Sequence, residues 1–437
     1  MATFFVENFG CRATQAEGAA IVSQLVQRGH VLADRSEADL VILNTCTVTA
    51  AADEDVRQAV YRIRRENPEA RILIAGCYAQ RAPAEAATLP GVACVVGNSH
   101  KARLGELIRE LEGDELTHCR IYVGDANAAV SFPGVDPEFA AGDRTRPNLK
   151  IQDGCSFHCA FCIIPAVRGR SRSAPAEWVV EQVRRLSAHY REIVLSGINL
   201  GRWGRDLPAR NRLPDLLRRL LDETGVERLR LSSVEPMDLS DELLALMAKS
   251  GRIAQHIHAP LQSGSDRVLR RMRRWYRARH YADRILKARG SMPDAAIGAD
   301  VMVGFPGETD EDFQETVRLV ESLPFTYLHV FTYSPRPGTP AAEMADQVPV
   351  KIRKERNRIL RELAARKSLE FRQRMVGRRL SALTLEAGRA ALSDNYLKVE
   401  LAVPRPPNRI IEVEIGAVTP AGLRERGPAE AQERRQP

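Results

Sequence analysis

The chain has 437 residues, 44% of them hydrophobic and 27% charged, and a formal net charge of +8. This length allows two or three domains, no apolar run is long enough to cross a bilayer, and the N-terminus lacks the basic leader and apolar core of a secretory signal. We therefore expect a cytoplasmic protein without a membrane partner, and the positive charge favours a polyanion such as nucleic acid. Eight cysteines in a reducing compartment favour metal or cluster ligation over disulfide bonds.

The first segment, residues 1–115, alternates strand-like and helical patterns. Residues 3–8, 40–44 and 71–75 are short apolar runs bounded by turn signals, and residues 15–28 carry apolar side chains at helical spacing. Such alternation predicts an α/β domain in which helices cover a parallel sheet.

Three cysteines follow the strands of this segment. Cys11, Cys46 and Cys77 each come just after one strand. Because the carboxyl ends of parallel strands meet at one rim of the sheet, we expect the three thiols to converge there. A glycine precedes both Cys11 and Cys77, which lets the backbone approach a bulky group. The pattern of three cysteines predicts a metal or cluster site. A single cysteine is more often a small buried hydrophobe, and we interpret Cys94 and Cys119, which have no such context, as structural residues of this kind.

A linker and a longer repeating pattern come next. Residues 116–140 have a mixed composition with Gly, Pro and Ala clusters and predict a linker. From residue 141 to 369, strand and helix patterns alternate six times, which predicts a partial (β/α)6 barrel with its chemistry at the C-terminal rim of the strands. The strand candidates are residues 149–152, 192–196, 228–232, 256–261, 297–303 and 327–333.

A second set of cysteines lies directly after the first of these strands: Cys155, Cys159 and Cys162. A cubane iron–sulfur cluster is ordinarily held by four cysteines, so three thiolates without a fourth leave one iron open to another ligand. An iron with an open position suits reaction chemistry. Two alternatives remain, namely a structural zinc knuckle, which usually closes four ligands, and an electron-transfer protein, which would need a fourth cysteine at each site.

The last segment changes character again. Residues 380–385, 396–403 and 410–415 have strand patterns around a Ser-Asp-Asn turn, which predicts a small all-β domain over residues 370–425. Residues 426–437 are rich in Pro, Glu and Arg, and we expect them to be a disordered tail.

Several motifs carry a resemblance to a known family. The Cys-x-x-x-Cys-x-Phe-Cys run at 155–162 resembles the radical S-adenosylmethionine (SAM) superfamily. The motifs that resemble the methylthiotransferases within it are Asn-Thr-Cys-Thr-Val-Thr at 44–49, Gly-Cys-Tyr-Ala-Gln at 76–80, Pro-Leu-Gln-Ser-Gly-Ser at 260–265 and Gly-Phe-Pro-Gly-Glu-Thr at 304–309. The first of these and the strand at 228–235 are most similar to the MtaB-like branch, which acts on threonylcarbamoyladenosine in tRNA. The resemblance covers nearly the whole chain, in the family order of N-terminal cluster domain, radical SAM core and C-terminal TRAM domain.

The resemblance implies two [4Fe–4S] clusters and SAM as cofactors. The expected ligands are Cys155, Cys159 and Cys162 for the SAM-binding cluster and Cys11, Cys46 and Cys77 for the auxiliary cluster. It also implies that a radical made from SAM allows a methylthio group to replace the hydrogen at C2 of the adenine, at position 37 of tRNA. The expected partners are the anticodon stem-loop of tRNA and an electron donor such as flavodoxin or ferredoxin.

The same resemblance places SAM contacts at the strand ends and RNA contacts on a basic run. The expected SAM-binding residues are Phe161, Ser196, Gly197, Glu235, Gln262 and Ser263. The expected RNA-binding residues are Arg270, Arg271, Arg273, Arg274 and Arg277. This run also carries Trp275 and Tyr276 and therefore suits phosphate contact and base stacking. The alternatives are core packing for Phe161 and solvated loop or helix faces for the others.

Three other functions stay open at this level. Two of them are methylthio transfer to another substrate, either isopentenyladenosine in tRNA or an aspartate of a ribosomal protein. The third is an RNA-binding regulator that carries clusters without catalysis. Modified nucleosides of a deletion strain separate the substrates, and release of 5′-deoxyadenosine separates an enzyme from a regulator.

Overall fold

The structure is a computed structural model that describes residues 2–111, 118–128, 132–142, 144–385 and 387–427. Residues 428–437 of the predicted tail and part of the predicted linker lie outside these ranges. Within them, a parallel sheet, a partial barrel and a small closed barrel follow one another along the chain. No helix of the described ranges is both long and apolar enough to span a membrane.

The strands and helices have the following bounds. The strands are β1 Thr3–Asn8, β2 Val31–Leu32, β3 Leu40–Thr45, β4 Arg71–Gly76, β5 Val92–Gly97, β6 Arg120–Tyr122, β7 Asn148–Asp153, β8 Arg172–Ser173, β9 Glu192–Gly197, β10 Arg228–Leu231, β11 His256–His258, β12 Ala296–Val303, β13 Tyr327–Thr332, β14 Arg379–Thr384, β15 Ala390–Ser393, β16 Lys398–Glu400, β17 Ile410–Thr419 and β18 Gly422–Glu425. The helices are α1 Arg12–Val26, α2 Ala50–Glu66, α3 Cys77–Arg81, α4 Pro83–Ala87, α5 Leu104–Leu111, α6 Ile164–Arg168, α7 Ala176–Ser187, α8 Leu213–Glu223, α9 Asp241–Lys249, α10 Asp266–Arg271, α11 Ala278–Ser291, α12 Asp310–Ser322 and α13 Val350–Arg374.

The N-terminal domain is a parallel sheet with the strand order β2-β1-β3-β4-β5-β6. β3 is buried along its whole length, since its alternate residues enter two different cores. Val41 and Leu43 pack with α2, whereas Ile42 packs with α1 and α5. This two-sided burial explains the continuous apolar run of the strand. The predicted linker contains β6, which pairs with β5 and is too short to show a strand pattern in the sequence.

The central domain contains all six predicted strands, as β7 and β9 to β13. β10, β9 and β7 are parallel neighbours with the short antiparallel β8 at the edge, and β11, β12 and β13 form a second parallel group. A hydrogen bond from Val234 N to His258 O (2.9 Å) joins the two groups. A single core of buried aliphatic and aromatic side chains runs through both. The strands therefore form one arc with β8 and β13 as its edges, which is a partial barrel.

The C-terminal domain is a closed barrel of the strands β14-β15-β16-β18-β17. The sequence predicted three of these strands, and the structure adds β15 and β18, which have four residues each. The long helix α13 connects this domain to the partial barrel. Arg230 of β10 anchors the two domains, because its guanidinium donates to Ser393 O (3.0 Å) and Asp394 O (2.9 Å) and also to the buried carboxylate of Glu192 (2.7 Å).

Candidate cluster and cofactor sites

The first site lies at the strand ends of the N-terminal sheet. Cys11 precedes α1, Cys46 follows β3, and Cys77 begins α3. Gly10 has φ of +111°, and a Cβ at this position would lie 2.5 Å from the Cβ of Cys46, so only glycine allows the two segments to come this close. Burial raises the pKa of Cys46 to about 12, and the nearby Cys77 and Cys11 add to this rise. The structure thus brings the three thiols to one rim.

The second site lies in the loop between β7 and α6, which carries Cys155, Cys159 and Cys162. Burial raises the pKa of Cys162 to about 12, and Cys159 and Cys155 contribute further. Two side chains direct N–H groups at sulfur: Asn199 Nδ2 lies 3.8 Å from Cys155 Sγ, and Arg274 Nη1 donates to Cys159 Sγ at 3.3 Å. The three thiols therefore share one pocket with donors that complement negative charge on sulfur.

The donor chemistry of both sites fits an iron–sulfur cluster. Each site brings three thiols together, while the other two cysteines lie apart, Cys94 in one core of the N-terminal sheet and Cys119 against the other. At the first site, Asn98 Nδ2 (3.4 Å) and Arg168 Nε (3.2 Å) donate to Cys77 Sγ. Such hydrogen bonds to ligand sulfur are how proteins adjust clusters. Three thiols with N–H donors, and no fourth cysteine beside them, suit a cluster with one open iron.

Arg168 joins the two sites. Its side chain is 1% exposed. Besides the bond from Nε to Cys77 Sγ, its Nη1 donates to Asp153 Oδ1 (3.0 Å), and Asp153 lies two residues before Cys155. A single guanidinium therefore spans from one set of thiols to the loop that carries the other. Arg168 lies in the Ile-Ile-Pro-Ala-Val-Arg-Gly stretch that follows the second set of cysteines. The sequence did not predict its contact with Cys77, which is distant along the chain.

Glu17 of α1 is the carboxylate on which this network converges. It accepts hydrogen bonds from Arg168 (2.6 Å), Lys101 (2.6 Å) and Lys150 (2.7 Å). Although burial opposes its ionisation, these three cations hold the pKa of Glu17 well below its ordinary value. Because the cations come from different elements of both domains, the network fixes the N-terminal sheet against the partial barrel.

Three of the predicted SAM-binding residues lie at the rim of the second site. Phe161 is half-buried, with its ring edge-on to Phe305 at 6.5 Å. Gly197 ends β9, where a Cβ would press against β7. Glu235 follows β10 and forms an ion pair with Arg274, and burial raises its pKa in spite of that pairing. Phe161 thus belongs to the cysteine loop itself, and Glu235 is connected to it through Arg274, which donates to Cys159.

The other three are held inside the rim. Ser196 Oγ donates to Leu149 O (3.3 Å), and Ser263 Oγ is hydrogen-bonded to Thr316 Oγ1 (3.3 Å). Gln262 has φ of +65° in a tight turn. Since both serine hydroxyls are engaged within the protein, their contact with SAM stays a prediction.

Two further polar side chains at the same rim were not predicted from the sequence as site residues. Asn199 Oδ1 and Ser232 Oγ are buried and have no hydrogen-bond partner among the described residues. Buried polar atoms are nearly always paired, so both are candidates to contact a bound cofactor. The signal that was available is their place, since each lies within two residues of the end of a barrel strand.

The basic run from the end of α10 to the start of α11 is divided between the interior and the surface. Arg270 and Arg273 are exposed, and Arg271 lies 3.7 Å from Asp346. Arg277 is the half-buried N-cap of α11. Arg274 corrects the prediction of a surface contact with RNA, because its side chain is 5% exposed and points at Cys159.

The aromatic residues of this run are divided in the same way. Trp275 is 78% exposed and stacks on Phe157 of the cysteine loop, with ring centroids 6.1 Å apart. Tyr276 is buried, and its hydroxyl donates to Leu261 O (2.7 Å). Trp275 therefore presents an open aromatic face beside the second site, which suits base stacking.

Comparisons with known families agree with this architecture. Residues 149–320 match the Radical SAM superfamily, and residues 3–97 match the family described as Uncharacterized protein family UPF0004. Among solved structures, the radical SAM methyltransferase TsrM from Kitasatospora setae, with cobalamin and a [4Fe–4S] cluster bound, has a TM-score of 0.57 at 16% identity, over 78% of this chain and 76% of that chain. The cobalamin-dependent SAM radical enzyme OxsB has a TM-score of 0.51 at 13% identity, over 85% and 56%. These likenesses establish the fold.

Curated relatives establish the family. Threonylcarbamoyladenosine tRNA methylthiotransferase MtaB of Aquifex aeolicus (strain VF5) is 38% identical over 412 residues, 94% of this chain and 99% of the relative. The protein of the same name from Bacillus subtilis (strain 168) is 39% identical, over 91% and 90%. A tRNA-2-methylthio-N(6)-dimethylallyladenosine synthase of Desulforamulus reducens is 32% identical, over 94% and 92%. The chain therefore belongs to the radical SAM methylthiotransferase family, in the branch of the MtaB proteins, with SAM and [4Fe–4S] clusters as its cofactors.

Proposed function

We propose that this enzyme adds a methylthio group to C2 of N6-threonylcarbamoyladenosine at position 37 of tRNA, in the cytoplasm. The observation that carries the proposal is the junction of two three-cysteine sites, which Arg168 links through Cys77 and Asp153. Two sites in contact suit a reaction that needs both a radical and a sulfur donor. The MtaB relatives, which align with nearly the whole chain, support the choice of nucleoside.

Each set of cysteines would hold one [4Fe–4S] cluster. When bound, the cluster on the barrel loop supplies the electron that cleaves SAM, and the cluster on the N-terminal sheet supplies the sulfur. The ligands would be Cys155, Cys159 and Cys162 for the first and Cys11, Cys46 and Cys77 for the second. Asn199 Oδ1 and Ser232 Oγ lack partners among the described residues. In this proposal Asn199 Oδ1 would accept a hydrogen bond from SAM, and Ser232 Oγ would donate or accept one.

The residues around the sites position and shield the reactants. The C2–H bond of adenine is not acidic near neutral pH, so general-base catalysis offers little help. Arg274 places a buried positive charge beside Cys159 and is itself fixed by Glu235. A cation and an N–H donor beside ligand sulfur stabilise the negative charge of a cluster. The buried ion pair also keeps water from this side of the site.

The surface next to the second site supports a tRNA substrate. Trp275 offers its ring for stacking, and Arg270 and Arg273 are exposed cations of the same run. An exposed aromatic ring between cations is the usual way to bind unpaired bases together with phosphates. The anticodon stem-loop, whose loop bases are unpaired, is therefore the part of tRNA that we propose contacts this surface, and a flavodoxin or ferredoxin is the proposed electron donor.

Nucleoside analysis of a deletion strain tests the proposed function. We expect the strain to lose 2-methylthio-threonylcarbamoyladenosine and to regain it with the wild-type gene or with Cys119→Ala, which lies outside both sites, but not with Cys46→Ala or Cys155→Ala. Persistence of the nucleoside in the deletion strain contradicts the proposal. Loss of 2-methylthio-isopentenyladenosine instead would assign the other tRNA substrate. Anaerobic protein with SAM and reduced flavodoxin should release 5′-deoxyadenosine, which a regulator without catalysis would not.

A further inference from the structure

A group of polar side chains lies on neighbouring strands of the partial barrel and includes none of the cysteines. His258, Asp300 and His329 come from β11, β12 and β13, and one ligand atom from each lies within 4.8 Å of the others. Asp300 Oδ1 is 2.9 Å from His258 Nε2 and 3.3 Å from His329 Nδ1, and Tyr327 OH is 2.9 Å from His258 Nδ1. The exposed fraction of the side chains rises from 8% at His258 through 22% at Asp300 to 56% at His329. We call His258, Asp300, Tyr327 and His329 the ring cluster.

The ring cluster opens along the edge strand of the arc. Tyr327, His329 and Phe331 alternate along β13 and therefore share one face, whereas Leu328 and Val330 of the other face pack in the core that β13 shares with α13. His329 is exposed and Phe331 is 41% exposed, with their rings 6.5 Å apart. β13 has a neighbour on one side only. The edge therefore gives a ligand access to a polar and aromatic face.

Arg12 connects this face to the auxiliary cysteines. It follows Cys11 directly, and its Nη2 donates to Tyr396 OH (3.1 Å) of the C-terminal domain. The ring of Tyr396 lies 4.3 Å from that of His256 and 5.7 Å from that of Tyr327. Arg12 thus connects the first cysteine site, through the ring of Tyr396, to Tyr327 of the ring cluster.

Arg12 has no carboxylate partner among the described residues. The neighbouring cations Arg146 and Arg230, in contrast, share the carboxylate of Glu192, at 3.0 and 2.7 Å. Arg12 is half-buried, and its contacts are with the hydroxyl and the ring of Tyr396. Burial first, then the positive charges of Arg230 and Arg12, lower the pKa of His256. A half-buried guanidinium in this position is suited to a carboxylate or phosphate ligand.

The chemistry of the proposed nucleoside matches these groups. A threonylcarbamoyl substituent carries a carboxylate, a hydroxyl and ureido N–H groups, whereas an isopentenyl substituent is a hydrocarbon. Although burial opposes it, hydrogen bonds from His258 and His329 hold the pKa of Asp300 below its ordinary value, so Asp300 is an acceptor for N–H or O–H groups. A hydrocarbon would remove water from Arg12 and Asp300 without replacing their hydrogen bonds, which is costly.

We propose that Arg12 and the ring cluster form the subsite for the threonylcarbamoyl substituent, with Arg12 paired to its carboxylate and Asp300 accepting from its N–H or hydroxyl groups. This inference rests on the proposed function and deepens it. In this proposal Arg12, beside the auxiliary cysteines, is the residue by which the enzyme distinguishes threonylcarbamoyladenosine from a prenylated adenosine.

Binding of anticodon stem-loop RNA to the cluster-loaded protein without SAM tests the subsite, because no turnover occurs. The three probes carry threonylcarbamoyladenosine, its dehydrated cyclic form in which the carboxylate is condensed onto the ureido nitrogen, or unmodified adenosine at the target position. A hydrogen-bonded pair with two charged groups should give the wild type about ten-fold or more preference for the open form over the cyclic one. Arg12→Gln should abolish this preference and leave the affinity for unmodified RNA unchanged.

Further variants keep the test decisive. Because Arg12 adjoins Cys11, iron and sulfide content must equal those of the wild type. If Arg12→Gln loses iron, His329→Gln, on the exposed strand edge, replaces it and should also weaken binding of the open form selectively. Arg184→Gln, an exposed residue of α7, is the matched control and should keep the full preference.

The outcomes separate the subsite from the proposed function. Equal affinity of the wild type for open and cyclic forms, or a full preference in cluster-loaded Arg12→Gln, overturns the subsite while modification of threonylcarbamoyladenosine in cells persists. If the deletion strain retains 2-methylthio-threonylcarbamoyladenosine and loses the prenylated product instead, the proposed function fails and the subsite fails with it.

Discussion

Glu17→Gln is expected to destabilise the junction between the two cysteine sites. The carboxylate is 5% exposed and faces Arg168, Lys101 and Lys150, and glutamine keeps its shape but removes its charge. Removing one partner of a buried ion pair costs about 3–5 kcal/mol. With an unfolding entropy of about 2.1 cal/mol/K per residue, the 437 residues give about 0.9 kcal/mol/K, so Tm should fall by about 3–6 °C.

Calorimetry of the anaerobic, cluster-loaded protein measures this change, with iron content matched between samples. Glu362→Gln is the control, because Glu362 pairs with Arg358 on the exposed surface of α13 and such pairs contribute little. A Tm for Glu17→Gln equal to that of Glu362→Gln would refute the assignment of a charged, stabilising Glu17.

The pH dependence checks the same point. The folded-state pKa of Glu17 lies below its ordinary value of 4.5, so its stabilising charge is complete above that value and is lost as the pH falls through the folded-state pKa. The difference in Tm between wild type and Glu17→Gln should therefore be constant between roughly pH 5 and pH 8. A difference that changes across this range contradicts the lowered pKa.

Three further predictions concern other parts of the chain. Cys155→Ala and Cys46→Ala should each lose about half of the iron, since each site holds one cluster, and unchanged iron in either would exclude that ligand. Trp275→Ala should weaken binding of the stem-loop by about five-fold or more without changing Tm, because the ring is 78% exposed; equal binding would contradict its stacking role. Burial raises the pKa of Glu308 to about 7 from 4.5, so its contribution to stability is present below pH 4.5 and is lost as the pH rises through about 7. Glu308→Gln should flatten the dependence of Tm on pH in this window, and an unchanged slope would refute the raised pKa.

Local pattern was sufficient for the larger elements. Each of the six barrel strands was predicted from a short strand-like pattern, although β7 (Asn-Leu-Lys-Ile-Gln-Asp) and β10 (Arg-Leu-Arg-Leu) alternate polar and apolar residues. β2, β5, β6, β8, β15 and β18 were not predicted. All of these except β5 have four residues or fewer and show too little of any period, whereas β5 is a six-residue apolar strand that the prediction omitted. Their pairing depends on neighbours distant in sequence, such as β5 for β6.

The residues of the candidate sites also form two groups, those that the sequence predicted and those whose role depends on the tertiary structure. Spacing and place after a strand identified both sets of cysteines, whereas Arg274 was assigned to the RNA surface because a run of arginines carries no information on which side chain turns inward. The direction of Arg274 is decided by Cys159 and Glu235, which lie far from it in sequence. Asn199 and Ser232 were missed because a missing hydrogen-bond partner is a property of three-dimensional surroundings.

By itself the sequence determined the ligand chemistry of this protein, because thiol number and spacing are local and so are the strands that carry them. Only the tertiary structure decided that the two sites lie next to one another. That result depends on Arg168 reaching Cys77 and on Glu17 gathering cations from two domains, and on Arg12 extending from one set toward the barrel interior. Buried charges are stable only when opposite charges meet them, and which charges meet is set by how the domains pack.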